Sequence, residues 1–270
     1  MKDMARATTA GMLAVWSLLS CGGGESPQSP TSSSTSGTLV WQDEFDGQGL
    51  PDAGRWNYEV GLIRNNERQY YTQARAENAR LEGGRLVIEA RKESFQGAAY
   101  TSASLTSRAN WTYGRIEVRA KLPKGRGTWP AVWTLGTNIG QVGWPRCGEI
   151  DIMEHVGFDP GRIHANIHTH AYNHVQRTNK GNSVMVPGPD EEFHTYEAVW
   201  TESSIEMKVD GRGYFTFNKE PGGDAVWPFD RPQYLILNLA IGGNWGGQQG
   251  IDDSAFPARY EIDYVRVYRN

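Results

Sequence analysis

The stretch Gly148-Glu149-Ile150-Asp151-Ile152-Met153-Glu154-His155 constrains this chain most, because three acids interrupt what otherwise reads as an apolar β-strand. Successive side chains of an extended strand face opposite sides, so Glu149 and Asp151 share one face while Ile150 and Ile152 share the other. Glu154 is out of phase. It falls on the apolar side unless an extra residue, most simply Met153, is absorbed in a bulge that re-phases the strand. With that bulge all three acids line one face.

The rest of the chain gives such a strand an all-β setting. Ten Trp, twelve Tyr and eight Phe accompany 32 Gly, with no long helical pattern, which points to short aromatic strands joined by Gly-rich turns. Strand alternation is clear in 40–45, 85–91, 113–123, 129–135, 163–170, 193–200, 204–209, 214–217, 234–241 and 260–268. Asp210-Gly211 marks a tight hairpin, and helical turns are expected only at 190–192 and 252–255. Many closely spaced strands without a βαβ rhythm predict one antiparallel two-sheet sandwich over residues 38–270.

Residues 1–37 read differently. Lys2 and Arg6 precede a short apolar core from Ala10 to Leu19, too brief to span a bilayer permanently, and Leu18-Leu19-Ser20-Cys21 closes it. This is similar to a bacterial lipoprotein signal (1–20), with lipidation at Cys21 and an extracytoplasmic, lipid-anchored or secreted protein as the expectation. The Gly/Ser/Thr/Pro stretch 21–37 reads as a flexible tether. Cys21 and Cys147 are not expected to pair. A net charge of -4 without a basic block argues against nucleic acid as a partner and leaves the membrane to the lipid anchor alone.

Two carboxyls leaning together from positions 149 and 154 would stand about 5–6 Å apart, the separation at which one attacks a glycosidic carbon while the other protonates the leaving oxygen. Asp151 between them would tune the pair, and with three acids so close at least one pKa should rise. A calcium site or a solvated acidic edge is the competing reading, although calcium usually draws its oxygens from a loop. His164, His168 and His170 fall on one predicted strand face after the acids. They suggest either a transition-metal site or, the favoured reading, an imidazole at His168 serving the carboxylates.

The segment 149–154 matches the E-x-D-x-x-E signature of glycoside hydrolase family 16, and the chain resembles its bacterial laminarinase (endo-β-1,3-glucanase) branch. The resemblance extends through Trp41-Gln42-Asp43-Glu44-Phe45, Asn65 to Thr72, Thr106-Ser107-Arg108, Gly127 to Trp133, Asn238 to Gly243 and Ile262 to Tyr268. It implies a β-jelly roll with a concave cleft, Glu149 as nucleophile, Glu154 as acid/base and Asp151 as supporting acid. It also implies Trp129, Trp133 and Trp144 as stacking walls, and Asn66, Arg108 and His168 as hydrogen-bond partners of sugar hydroxyls. A structural calcium would be held by Glu44, the Gly84 carbonyl and Asp263, with no cofactor for catalysis. The bulged signature is shared by laminarinases, whereas a shorter E-x-D-x-E form is typical of lichenases. The expected substrate is a β-1,3-glucan, with mixed-linkage β-1,3-1,4-glucan a further candidate, and a monomer is the expected state. A galactan hydrolase of the same family, or a lectin-like jelly roll without turnover, are the alternatives.

Overall fold

The computed structural model describes residues 37–269, so the signal and tether readings on residues 1–36 lie outside the described residues. In chain order the strands are β1 (Thr38–Asp43), β2 (Trp56–Tyr58), β3 (Gln69–Tyr71), β4 (Ala79–Leu81), β5 (Leu86–Phe95) and β6 (Ala98–Ser102). They continue as β7 (Ser104–Trp111), β8 (Gly114–Lys121), β9 (Thr128–Gly136), β10 (Glu149–Glu154), β11 (Arg162–His168) and β12 (Lys180–Met185). The last are β13 (His194–Trp200), β14 (Ser204–Val209), β15 (Arg212–Asn218), β16 (Gln233–Ile241) and β17 (Ala258–Arg269). Two single helical turns, α1 (Ile139–Val142) and α2 (Gly243–Gly246), lie in connections.

The strands form two sheets. One has ten strands along β15-β14-β13-β8-β17-β5-β6-β3, with β1 beside β17 and β4 beside β5; the other has seven in the order β12-β11-β10-β9-β16-β7-β2. The sandwich expected from the sequence is therefore present, and its pairings are antiparallel except β3 with β6, which is parallel.

Local patterning explains the layers. In β14, Ile205, Met207 and Val209 are buried between the half-buried Ser204, Glu206 and Lys208, so one strand face is core and the other meets solvent. Asp210 and Gly211 both take positive φ, at +50° and +73°, closing the two-residue turn into β15. Between the sheets, Ile150, Ile163, Ile167, Leu235 and Leu237 of the seven-stranded sheet pack in one core with Ile88, Val118, Tyr196, Ile262 and Val265 of the ten-stranded sheet. A smaller apolar cluster of Ala131, Trp133, Leu135, Cys147 and Ile236 forms on the other face of the seven-stranded sheet.

Two local expectations change. Residues 190–192 form no helix: the amides of Glu191 and Glu192 both bond the Gly188 carbonyl in a turn, while 253–255 is a 3-10 turn as read. The predicted strand over 163–170 ends at His168, because the Thr169 amide turns back to the Tyr172 carbonyl.

Candidate active site

β10 runs between β9 and β11 in the seven-stranded sheet. Gly148 leads into it at φ +80°, where a Cβ would meet Pro228 Cγ at 2.7 Å and Phe229 Cε1 at 2.9 Å, so only glycine admits the chain so closely. Asp151 pairs with Trp133 and Glu154 with Ala131, so three steps along β10 match two along β9. The same extra residue appears against β11, where Asp151 faces Asn166 and Glu154 faces His164. This is the re-phasing bulge. It sends both Ile152 and Met153 into the core, 1% and 0% exposed, and leaves Glu154 on the face of Glu149 and Asp151.

Each acid is held by a named donor. Trp144 Nε1 donates to Glu149 at 2.8 Å, while Trp129 Nε1 and Asn166 Nδ2 each donate to Glu154 at 3.1 Å. His168 Nε2 lies 3.2 Å from Asp151 Oδ2 and 3.6 Å from Glu149 Oε1. Burial, with the Asp151 charge adding to it, pushes Glu149 up to about 8 against the opposing pull of His168 and Trp144. Asp151 is also raised, by burial and by Glu154. Burial raises Glu154 too, with His168, Asn166 and Trp129 opposing. Three enclosed carboxyls so close together hold their protons more tightly than free acids and titrate as a group.

Glu149, Asp151 and His168 present ligand atoms within 4.8 Å of one another, the composition of a metal site. The three-histidine arrangement is not formed. His170 lies exposed beyond β11, and His164 packs edge-on to Trp245 at 4.9 Å.

The remaining predicted residues divide. Trp129 stands edge-on to Trp245 at 5.5 Å, and Trp144 packs against His168 and His174 at 6.0 and 5.0 Å, so both flank the acids. Trp133 is on the predicted face beside Asp151 but is no open wall. It is 8% exposed, its Nε1 donates to Asn238 Oδ1 at 2.7 Å, and the Arg64 guanidinium lies 4.7 Å from its ring centroid. Asn66 Nδ2 donates to Asn244 Oδ1 at 2.8 Å. Arg108 lies in β7, three strands from β10, and its Nε donates to the Ala53 carbonyl at 2.7 Å. At roughly 4.8 Å per strand this puts its backbone about 14 Å from the acids.

Glu44, Gly84 and Asp263 belong to the other sheet. β5 and β1 share one edge of β17, which β8 pairs on its opposite edge, and the gap between them falls at Asp263 and Tyr264. Glu44 follows β1 and Gly84 precedes β5 at that gap, so register gathers the three residues. Their donor chemistry fits a hard cation. Here Arg266 forks onto Glu44 at 2.8 and 2.9 Å and Arg119 pairs with Asp263, so a calcium ion would have to displace both guanidinium groups.

Sequence reasoning missed Asn166, Trp245, His174, Arg64 and Glu59. Asn166 had a signal, since it alternates with His164 and His168 on one face of β11. The others reach the site from loops, where no periodicity points.

The comparisons with known proteins agree with this arrangement. The model of "Glycosyl hydrolases family 16" matches residues 66–266. A β-glucanase of Rhodothermus marinus is 54% identical over 242 residues, covering 86% of this chain and 85% of that protein. The crystal structure of the laminarinase from Rhodothermus marinus superimposes with a TM-score of 0.84 at 53% identity, covering 87% of this chain and 98% of the other. A non-specific endo-β-1,3(4)-glucanase, solved with 1,3-β-D-cellobiosyl-glucose at its active site, gives a TM-score of 0.84 at 49% identity over 87% of this chain and 96% of the other. The three-acid strand thus sits in a β-jelly roll of known kind, and the chain belongs to glycosyl hydrolases family 16.

Proposed function

We propose that this protein is a retaining, endo-acting hydrolase of internal β-1,3-glucosidic bonds in laminarin-type β-glucans, acting also on mixed-linkage β-1,3-1,4-glucan. The observation that carries the reading is the bulge in β10, which lifts Glu154 onto the face of Glu149 and Asp151 while Ile152 and Met153 stay in the core.

Glu149 attacks the anomeric carbon to form a glycosyl-enzyme, and Glu154 protonates the departing glycosidic oxygen. Glu154 then takes a proton from the water that releases the sugar. The raised acids suit these roles. Glu149 and Asp151 share a proton, which Glu149 holds in the resting protein and Asp151 takes as Glu149 attacks, while Glu154, raised by burial, is the acid. His168 beside Asp151 and Glu149 orients that pair, and Trp144 fixes the Glu149 carboxylate by its indole N–H. Trp129 and Trp245, beside Glu154, supply apolar surface for the leaving part of the chain.

The test is product analysis on laminarin, lichenan, curdlan, agarose and carrageenan, with the anomer of the first product read by proton NMR. β-Configured oligosaccharides from laminarin are expected. Failure to cut any of the five, or an α-configured first product, removes the reading.

The cellular setting belongs to the same proposal: a lipid at Cys21 tethers the enzyme outside the cytoplasm. Radioactive fatty acid should label the full-length protein and fail to label Cys21→Ala. Calcium at Glu44, Gly84 and Asp263 would be structural, since Asp263 lies in the ten-stranded sheet and the other two at the ends of its strands, away from the acids.

A further inference from the structure

Arg64 and Glu59 flank the exposed apolar loop residues Val60, Leu62 and Ile63, and Gly61 at its centre bridges Tyr71 of β3. The loop closes on itself through an ion pair. Arg64 Nη2 donates to Glu59 Oε1, and Ser104 Oγ of β7 donates to the other Glu59 oxygen at 2.6 Å. Both side chains keep about a fifth of their surface open, at 20% and 22%.

The pair rests on Trp133, directly beside Asp151 on β9. A rigid chain of bonds backs that indole: Trp133 Nε1 to Asn238 Oδ1, Asn238 Nδ2 to Tyr71 Oη at 2.9 Å, and Tyr71 Oη to Glu67 Oε2 at 3.2 Å. Arg64 Nη1 is buried and has no hydrogen-bond partner among the described residues, and the open part of the guanidinium lies elsewhere on its edge. Tyr234, packed against the same small cluster, feels the charges of Glu59, Arg64 and Glu149 together, so the pair and the attacking end of the site share one stretch of this face.

We infer that Arg64 and Glu59 form a sugar-binding subsite on the glycone side of the cleaved bond, gripping vicinal hydroxyls of a neutral pyranose. The inference rests on the proposed glucanase reading and adds a residue pair and a substrate preference to it. Direction follows from the acid/base. Glu154 serves the leaving side, with Trp129 and Trp245 around it, and Trp133 stands four residues, about 13 Å, along β9 from Trp129 toward the Glu149 end. The chemistry follows from the pair. The open fifth of the guanidinium donates to one hydroxyl oxygen while the open part of the carboxylate accepts from its neighbour. Since Glu59 already neutralises Arg64, the subsite carries no net attraction for sulfate or uronate groups, so sulfated galactans gain nothing from it. Trp133 acts as the base of the guanidinium, and the sugar meets Arg64 where an open indole would otherwise lie.

The experiment compares wild type, Arg64→Ala and Arg64→Lys on laminari-oligosaccharides of increasing length, with calorimetric binding of the same sugars to each protein in a Glu149→Gln background. The expected result is a KM and Kd about tenfold or more higher for Arg64→Ala on the longer sugars, with kcat within about threefold, no change on sugars too short to reach the subsite, and partial rescue by Arg64→Lys. Values for Arg64→Ala within twofold of wild type at every length overturn the inference, as does tighter binding, which would make Arg64 a cover that blocks Trp133. An Arg64→Ala that does not fold moves the decision to Arg64→Lys, where unchanged values overturn it. Wild type that turns over no β-glucan refutes the glucanase reading instead, and the binding arm still decides whether Arg64 holds sugar.

Discussion

Glu149→Gln should make the protein more stable at neutral pH, and the gain should vanish in mild acid. Glu149 has a usual value of 4.5 and is pushed up to about 8 in the folded protein. Below pH 4.5 the carboxyl is protonated in both folded and unfolded chains and costs nothing. As pH rises above 4.5 the unfolded chain releases the proton while the folded one keeps it, so the folded state binds more protons and stability falls with pH until the folded value is passed. Each pH unit in that window is worth about 1.4 kcal/mol, so by pH 7 the penalty reaches about 3 kcal/mol. With 14% of the side chain exposed, solvent screening takes little from this. Glutamine is the right replacement because it mimics the protonated acid: its carbonyl still accepts from Trp144 Nε1, and its amide can donate to Asp151. Urea unfolding followed by Trp fluorescence at pH 4.5 and pH 7 measures the effect. A variant about 3 kcal/mol more stable than wild type at pH 7, and nearly equal to it at pH 4.5, is expected. A difference that is the same at both pH values would refute the argument, because it would then arise from packing and not from a displaced proton.

Glu154→Gln should lower kcat on laminarin by about 10²–10⁴-fold with little change in oligosaccharide binding, and equal losses of both would deny Glu154 a proton-transfer role. In the wild type kcat/KM should follow a bell, with the acid limb marking protonation of the Glu149–Asp151 pair and the alkaline limb loss of the Glu154 proton; an alkaline limb that persists in Glu154→Gln would reassign it. Chelation with EDTA should lower Tm while leaving the initial rate unchanged if calcium sits at Glu44, Gly84 and Asp263, and an immediate loss of rate without a shift in Tm would place the metal among the acids instead. Deleting Met153 should leave the strand unbulged with all three acids still in phase, as in the shorter form of the signature. The deletion is expected to cost about 2–5 kcal/mol for the lost core side chain yet retain measurable hydrolysis, and a folded but wholly inactive deletion would show that the bulge does more than re-phase.

What was legible in the sequence was whatever the chain writes into neighbouring residues. The strand period is local, so β14 and β16 could be read from their own alternation, to the residue in β14 and within a residue in β16. A break in the period is local too. Glu154 could be placed on the acidic face because a carboxylate out of phase in a half-buried strand leaves a bulge as the economical solution. Strands of three residues, such as β2, β3 and β4, carry too few positions to declare a period, and they vanished into what read as irregular chain. Trp133 lies where local patterning stops being enough. Counting by twos gave its face correctly, but whether that face is open depends on Arg64, which reaches it from a loop 69 residues earlier in the chain and could be located only once the sheet had formed. The same holds for Trp245 against Trp129 and for the arginines on Glu44 and Asp263. In a sandwich with so many non-local pairings the chemistry of a strand can be read in advance, while the groups that cover it arrive from far along the chain. Substrate preference in this protein therefore rests less on the acids of β10, which any member of the fold could present, than on side chains such as Arg64 that neighbouring loops lay over the tryptophans.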